Sequence, residues 1–200
     1  SALSWFIRCQ SLSGSHRERP ASRFAWRFRA RGSARTQSPQ RFARRPSNKL
    51  GAMAVNPALE GRVLPPAQPY LVGREKIREF ARAVLSSNPM NLDVDAAKSG
   101  GYADLVAPPT FPIVVQEKTL AQLLAEPDAG IDFSRIVHGD QRFSYTRPIV
   151  AGDELTAQLT VASIKSLGGH TMITAVSEIT DATGAHVVTA TSTLVVRGDE

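Results

Sequence analysis

The sequence predicts an α+β fold in which one antiparallel sheet wraps around a long central helix. Three observations lead to this fold class. An apolar helical segment occupies residues 110–126, alternating apolar and polar residues follow it to residue 196, and turn residues divide that run into strands. A segment of different composition, residues 1–52, precedes this single domain, which we place at residues 53–200.

Residues 1–52 are predicted to be a basic tail outside the fold. The chain has 24 Lys and Arg and 18 Asp and Glu residues, and the tail holds twelve of the former but only Glu18 of the latter. Because this Arg- and Ser-rich segment has no sustained apolar period, we expect it to be disordered. Three interpretations stay open: a transit peptide, a basic arm for nucleic acid or membrane, or upstream sequence translated before a native start at Met53. The abrupt change of composition at that methionine favours the third.

Residues 53–200 carry a net negative charge, because twelve basic and seventeen acidic residues remain there. The basic isoelectric point therefore belongs to the tail, and we expect no nucleic-acid partner. The domain has no cysteine, which excludes disulfides and thiolate metal sites, and no run of 18 apolar residues, which argues against a transmembrane helix. We expect a cytoplasmic protein without stable membrane insertion.

The first half of the domain is predicted to contain an extended segment, a short strand at residues 70–72 and an amphipathic helix. Prolines exclude a helix before Tyr70. The helix follows in "GREKIREFARAVLSS", and Asn88-Pro89 ends it. Its apolar stripe consists of Ile77, Phe80, Ala81, Val84 and Leu85. "DVDAAKSGGYADLVAPP" then predicts a loop with one helical turn.

The central helix is predicted in "TFPIVVQEKTLAQLLAE". Thr110 suits the N-cap position, and Pro112 is tolerated in a first turn. Apolar side chains cover most of the circumference, which predicts that this helix lies inside the domain. They are Phe111, Ile113, Val114, Val115, Leu120, Leu123 and Leu124.

Beyond residue 130, the sequence predicts three or four long antiparallel strands in meander order. Turns are expected at residues 151–153, 168–169 and 181–184, each of which contains glycine. After the first of these turns, alternate residues form one apolar strand face, namely Leu155, Ala157, Leu159 and Val161. A curved sheet of this kind around one buried helix is a hot-dog fold.

Three stretches carry a family resemblance: "VGREKIREFARAV", "GYADLVAPPTF" and "DQRFSYTRPIVAGDEL". In these stretches and their order, residues 70–196 resemble the MaoC-like dehydratases. They are most similar to the HadA/HadC-type non-catalytic subunits of (3R)-hydroxyacyl-ACP dehydratase, of the FAS1-like N-terminal dehydratase type. The resemblance implies a hot-dog domain that takes part in acyl-thioester dehydration during fatty-acid elongation.

The catalytic motif of the family, Gly-Asp-x-Asn-Pro-x-His, is degenerate in this chain. Leu85 stands in the place of the glycine, Ser86 in that of the aspartate and Asn91 in that of the histidine, whereas Asn88 and Pro89 match. Dehydration needs a base for the α-proton and an acid for the departing hydroxyl, and neither serine nor asparagine titrates near neutral pH. The resemblance therefore implies no catalytic residue at these positions.

Substrate binding is the remaining function of this region. By the same resemblance, Pro108-Pro109 stands where catalytic relatives have a His-Gly pair before the central helix. Unpaired N–H groups at the start of that helix suit a thioester oxygen or a phosphate. We expect substrate contacts from Asn88, Pro109, Thr110, Phe111, Ile113 and Val114. For the four apolar members of this set, plain core packing is an equally good interpretation.

His138 and Asp140 are candidates for an alternative catalytic pair. The stretch "VHGDQ" resembles the equivalent stretch in the non-catalytic half of two-domain hydratases, which favours a structural or interface histidine. Asp140 and Asp153 suit turn and edge geometry. His170 and His186 are expected to face solvent. No two histidines have metal-ligand spacing, so we predict no metal and no cofactor.

Together these patterns predict a substrate-binding, non-catalytic subunit of a heterodimeric (3R)-hydroxyacyl-ACP or acyl-CoA dehydratase. Its partner would be a hot-dog chain that carries the Asp/His motif, joined through the edges of the long last strands. Two other functions remain open. One is an autonomous homodimeric enoyl-thioester hydratase that uses His138 and Asp140, and the other is a non-enzymatic protein that binds acyl thioesters.

Overall fold

The computed structural model describes residues 55–198, and the predicted basic tail lies outside this range. The helices are α1 (Arg74–Ala83), α2 (Val94–Ser99) and α3 (Pro112–Ala125). The strands are β1 (Tyr70–Leu71), β2 (Ile136–Tyr145), β3 (Glu154–Leu167), β4 (His170–Asp181) and β5 (His186–Val196). None of the helices in the described range is long and apolar enough to cross a bilayer.

The five strands form one antiparallel sheet in the order β1-β3-β4-β5-β2. Strands β3, β4 and β5 are a meander, as predicted. The predicted meander order is wrong for β2, which precedes β3 in the chain but pairs with β5. The reason is that both sides of β3 are already taken, one by β4 and the other by the chain around residues 61–71.

The two edges of the sheet differ in how they are covered. Along β3, the N–H group of Leu64 donates to the carbonyl oxygen of Leu159 and that of Ala67 to Ala157, both at 2.8 Å. At the opposite edge, β2 has β5 as its one strand neighbour in the part of the chain that the structure describes. The prediction that the long last strands offer their edges to a partner is therefore wrong for β4 and β5, because β4 lies between β3 and β5, and β5 lies between β4 and β2. The uncovered edge belongs to β2.

Helices α1 and α3 share a buried core with strands of the sheet. The rings of Phe80 on α1 and Phe111 before α3 meet edge to face, with centroids 5.4 Å apart and planes at 79°. Val84 and Leu85 are exposed, contrary to the predicted stripe, because α1 ends at Ala83. The predicted face of β3 is confirmed, since its four apolar residues are at most 1% exposed.

Helix α3 begins one residue later than predicted. Phe111, not Thr110, occupies the N-cap position, and no side chain caps the helix. Thr110 is exposed, whereas Phe111 is fully buried. A capping bond contributes about 1 kcal/mol, which is less than the roughly 1.5–3 kcal/mol gained by burying a phenyl ring. Burial of Phe111 therefore sets where the helix starts.

Candidate functional site

The degenerate motif lies in the loop between α1 and α2, and a left-handed residue opens this loop. Leu85 has a φ of 55° and is the one non-glycine residue with positive φ within residues 55–198. Glycine adopts this conformation most easily, which gives a physical reason for a glycine at this motif position. The leucine side chain is 90% exposed, so its burial does not offset the backbone strain.

Ser86 and Asn91 contact each other at the two positions where the motif has its aspartate and histidine. The Ser86 hydroxyl donates to Asn91 Oδ1 at 2.7 Å, and Asn91 Nδ2 donates to the carbonyl oxygen of Val106, also at 2.7 Å. Asn91 is only 2% exposed. The pair thus forms a hydrogen-bonded chain from the end of α1 to the backbone at Val106, and it contains no group that titrates near neutral pH.

Asn88 shapes the same loop through a local turn. Its Oδ1 accepts a hydrogen bond from the N–H group of Met90 at 3.0 Å, and the residue is exposed. Pro89 then begins a single 3₁₀ turn, Pro89–Asn91. The matching Asn-Pro pair therefore fixes loop geometry, and a substrate contact from Asn88 stays a prediction.

A groove of about 270 Å³ lies beside this loop. One wall comes from the segment before α3, and the other from the end of β2 and the residues after it. The lining residues are Val106, Ala107, Pro109, Tyr145, Thr146, Arg147, Pro148 and Ile149. The Tyr145 hydroxyl donates to the carbonyl oxygen of Pro109 at 2.9 Å and so ties the two walls together. Burial raises the pKa of Tyr145, which keeps this donor protonated.

The predicted substrate contacts fall into two groups. Pro109 is in the groove wall. Phe111 is wholly buried in the core, and Ile113 and Val114 are partly buried and pack against the same core cluster. Core packing is therefore the role that the structure gives to Phe111. Groove contacts from the other members of the set remain predictions.

Arg147 links the groove to two carboxylates. Its guanidinium donates to Asp153 Oδ2 at 2.8 Å and to Asp181 Oδ2 at 3.1 Å. Hydrogen bonds from the Thr183 hydroxyl and from Arg147 lower the pKa of Asp181 to about 2. Asp153 also accepts from the N–H group of Val150 at 2.9 Å, in keeping with its predicted turn role. The Arg147 charge is thus paired within the chain, and the three groups together carry a net charge of −1.

The alternative catalytic pair lies on β2, where the pairing with β5 shifts register between His138 and Asp140. His138 is half-buried and Asp140 is exposed. The Asp140 carboxylate forms an ion pair with Arg142 at 2.8 Å. Neither member of the pair is among the residues that line the groove. A catalytic role for them stays a prediction.

The remaining two histidines of the domain differ from each other. His170 is exposed, as predicted. His186 is half-buried, because its ring lies 2.5 Å from the hydroxyl of Thr146, 2.9 Å from that of Thr189 and 3.1 Å from the Glu178 carboxylate. Within residues 55–198, no group of three or more His, Cys, Asp or Glu side chains is placed to hold a metal ion.

Sequence reasoning missed a buried polar network between α3 and the sheet. Gln116, fully buried, donates through Nε2 to the carbonyl oxygen of Ala190 at 3.0 Å. Its Oε1 accepts from Gln141 Nε2 at 3.0 Å and from the Ser192 hydroxyl at 3.2 Å. Thr119, also buried, donates to the Gln116 carbonyl oxygen at 2.7 Å. Gln116 and Thr119 are three residues apart and so lie on the same side of the helix, which is the signal that could have revealed this network.

Comparison with known proteins assigns the chain to a family. The family described as "FAS1-like, dehydratase domain region" matches residues 58–190. A UPF0336 protein of Leifsonia xyli subsp. xyli is 72% identical over 146 residues, which are 73% of this chain and 98% of that relative. The match therefore extends over nearly the whole length of the relative.

Two solved structures share the fold. The C-terminally truncated HadBC (3R-hydroxyacyl-ACP dehydratase) complex of Mycobacterium tuberculosis has a TM-score of 0.59 and 34% identity, over 68% of this chain and 96% of that chain. A MaoC-like dehydratase has a TM-score of 0.63 and 35% identity, over 70% of this chain and 43% of that chain. These matches confirm both the predicted hot-dog fold and the resemblance to MaoC-like dehydratases. The chain belongs to the FAS1-like dehydratase-region family.

Proposed function

We propose that this chain is the substrate-binding subunit of a heterodimeric (3R)-hydroxyacyl-thioester dehydratase and supplies no catalytic acid or base. The observation that carries the proposal is the 2.7 Å hydrogen bond between Ser86 and Asn91, at the positions of the motif's aspartate and histidine. Elimination of water requires one group to remove the α-proton and one to protonate the departing hydroxyl. A hydroxyl and an amide that bond to each other do neither near neutral pH, so both groups would come from a partner chain.

The groove would supply binding and orientation. Apolar residues form most of its walls, which suits the acyl part of a thioester substrate. Orientation of a bound substrate against catalytic groups lowers the entropic part of the activation barrier. A chain without its own acid and base can therefore still raise the rate of the reaction in the complex.

The uncovered edge of β2 is the surface that we assign to the partner. Backbone groups on such an edge can pair with a strand of another chain. Three large apolar residues are exposed on or just before β2, namely Phe133 (50%), Val137 (47%) and Tyr145 (37%). Tyr145 also lines the groove, so a chain bound along this edge would lie next to it. That the similar HadBC structure is described as a complex supports a second hot-dog chain as the partner.

The test is a turnover assay with a short trans-2-enoyl thioester. The chain is assayed alone and after co-expression with a hot-dog chain that carries an intact Gly-Asp-x-Asn-Pro-x-His motif. We expect turnover only in the complex, and we expect it to disappear when the Asp and His of the partner's motif are replaced. Turnover by the chain alone would contradict the proposal, and so would tight thioester binding without turnover in any pairing.

A histidine substitution separates the proposal from an autonomous enzyme. His138→Ala should leave the activity of the complex within about twofold of the wild type, because the general acid and base lie in the partner. His170→Ala, at an exposed hairpin position, is the matched control. Loss of at least a hundredfold in activity with His138→Ala alone would place the chemistry on β2 of this chain.

A further inference from the structure

We infer that Asn91 is a positioning residue that fixes one wall of the substrate groove, at the motif position that otherwise holds the catalytic histidine. This inference rests on the proposed function and names what sets substrate affinity at the same site. Asn91 would then have a function of its own, although the catalytic histidine of the motif is absent from this position.

The groove wall at Val106 is held from two sides. On one side, its N–H group donates to the carbonyl oxygen of Met90 at 3.0 Å, and its own carbonyl oxygen accepts from Asn91 Nδ2 at 2.7 Å. On the other side, the N–H group of Ala107 donates to the carbonyl oxygen of Ile149 at 2.9 Å. Val106, Ala107 and Ile149 all line the groove. The motif loop therefore determines where this wall stands.

The side chain of Asn91 is suited to this role because an amide accepts and donates at once. Its oxygen accepts from the Ser86 hydroxyl, which leaves the Nδ2 group directed at Val106. The residue is 2% exposed, so water does not compensate for a lost bond. A carboxylate at this position would have the same shape but no proton to donate, and it would face the Val106 carbonyl oxygen with a negative charge.

Displacement of the wall should change substrate affinity and not the chemical step, since the acid and base lie in the partner. In kinetic terms, KM should rise while kcat stays constant, which is the signature of binding lost equally in the ground state and the transition state. The rise should be larger for a longer acyl chain, because a longer chain contacts more of the groove. A merely structural role would reduce the amount of folded complex and lower kcat for all substrates equally.

The experiment compares Asn91→Asp with the matched control Asn56→Asp in the complex formed from the full chain and its catalytic partner. The Oδ1 atom of Asn56 accepts from the Ala58 N–H group at 3.0 Å, so an aspartate there keeps the bond. The substrates are trans-2-butenoyl-CoA and trans-2-octenoyl-CoA. We expect Asn91→Asp to raise KM about tenfold or more for the octenoyl substrate and less for the butenoyl substrate. With both substrates, kcat of Asn91→Asp should stay within about twofold of the wild-type value. Asn56→Asp should behave as the wild type.

The outcomes separate this inference from the proposed function. An inactive wild-type complex overturns the proposed function before any variant is measured. An active wild-type complex with equal KM values for Asn91→Asp and Asn56→Asp overturns the inference alone. If Asn91→Asp does not fold, Ser86→Ala replaces it, since this variant removes the bond that orients the amide and, besides it, only the long 3.4 Å bond from the Asn88 N–H group. An unchanged KM for octenoyl-CoA in Ser86→Ala would then overturn the inference, whereas a threefold or larger rise would support it.

Discussion

At residue 85 the backbone takes a conformation that suits glycine, but the chain has leucine there. A left-handed conformation costs a residue with a Cβ atom roughly 1–2 kcal/mol, and a glycine at this position avoids that cost. Part of the gain in stability is lost again, because glycine has greater freedom in the unfolded chain. Because the leucine is 90% exposed, its removal loses little packing. Leu85→Gly should therefore raise the free energy of unfolding by about 0.5–1 kcal/mol, measured by urea denaturation of the full chain.

Leu71→Gly is the control for that prediction. Leu71 is also a largely exposed leucine, 69% exposed, but it lies in the extended strand β1. Glycine should destabilise this position by roughly 0.5–1 kcal/mol, since no strain is relieved. Equal destabilisation by both substitutions would mean that the backbone at Leu85 is not strained.

Asp181 makes the stability of the folded protein depend on pH in the acid range. Its pKa falls from 3.8 to about 2 on folding, through hydrogen bonds from Thr183 and Arg147. A carboxyl with a depressed pKa stabilises the fold at pH values above its unfolded pKa, and this contribution is lost as pH falls toward 2. Asp181→Asn should thus lower the stability of the protein above pH 4, and the difference from the wild type should shrink as pH falls to 2.

Thermal unfolding between pH 2 and pH 7 measures this effect. Glu117→Gln, which removes the charge of an exposed carboxylate on α3, is the control and should change the stability at pH 7 by no more than about 0.5 kcal/mol. A difference between Asp181→Asn and the wild type that is as large at pH 2 as at pH 7 would contradict the assignment.

Within helix α3, two glutamines should respond to the same substitution with opposite sign. Gln116→Leu removes the partner of three groups on the sheet, those of Ala190, Gln141 and Ser192, and should lower the free energy of unfolding by about 2–4 kcal/mol. Gln122 Oε1 is buried without a hydrogen-bond partner among the residues that the structure describes. Gln122→Leu should therefore stabilise the protein by up to about 1 kcal/mol. Chemical denaturation measures the free energy of unfolding of both variants. Destabilisation of similar size by the two substitutions would contradict the different roles assigned to Gln116 and Gln122.

Most elements could be predicted from periodicity, but the place of β2 could not. The alternation of apolar residues shows which strand face is buried, and sequence order favours pairing with the next strand. Whether β3 has a free side depends on the chain around Leu64 and Ala67, whose proline-rich sequence has no strand pattern of its own. The start of α3 was misplaced for a related reason. The burial of Phe111 depends on contact with Phe80, 31 positions earlier, which no local cap signal reveals.

For the molecule as a whole, residue type predicts the chemistry of single side chains, whereas the contacts between them depend on the fold. Ser86 and Asn91 were predictable as positions without acid or base, because residue type alone decides that. Their mutual bond and the bond to Val106 depend on the fold of three separate segments. The groove likewise joins residues before α3 to residues after β2, and of the predicted contacts only Pro109 lies in its wall.

The assignment of β2 as the partner surface makes a prediction about assembly. Val137 is 47% exposed on this edge, and a lysine on an edge strand opposes the addition of another strand. Val137→Lys should prevent formation of the complex and with it the turnover, while the stability of the isolated chain should change by no more than about 0.5 kcal/mol. Co-purification with the catalytic chain and size-exclusion chromatography with light scattering measure this.

The matched control is Leu167→Lys, which places the same charge on a leucine that is 69% exposed at the far end of β3. This variant should assemble and turn over substrate as the wild type does, since Leu167 lies at the turn into β4 and two strands, β4 and β5, separate β3 from β2. The reverse result, with assembly lost in Leu167→Lys and retained in Val137→Lys, would place the partner at the β3–β4 hairpin. In that case the groove beside Tyr145 would lie away from the interface, and a catalytic partner could not reach a substrate bound there.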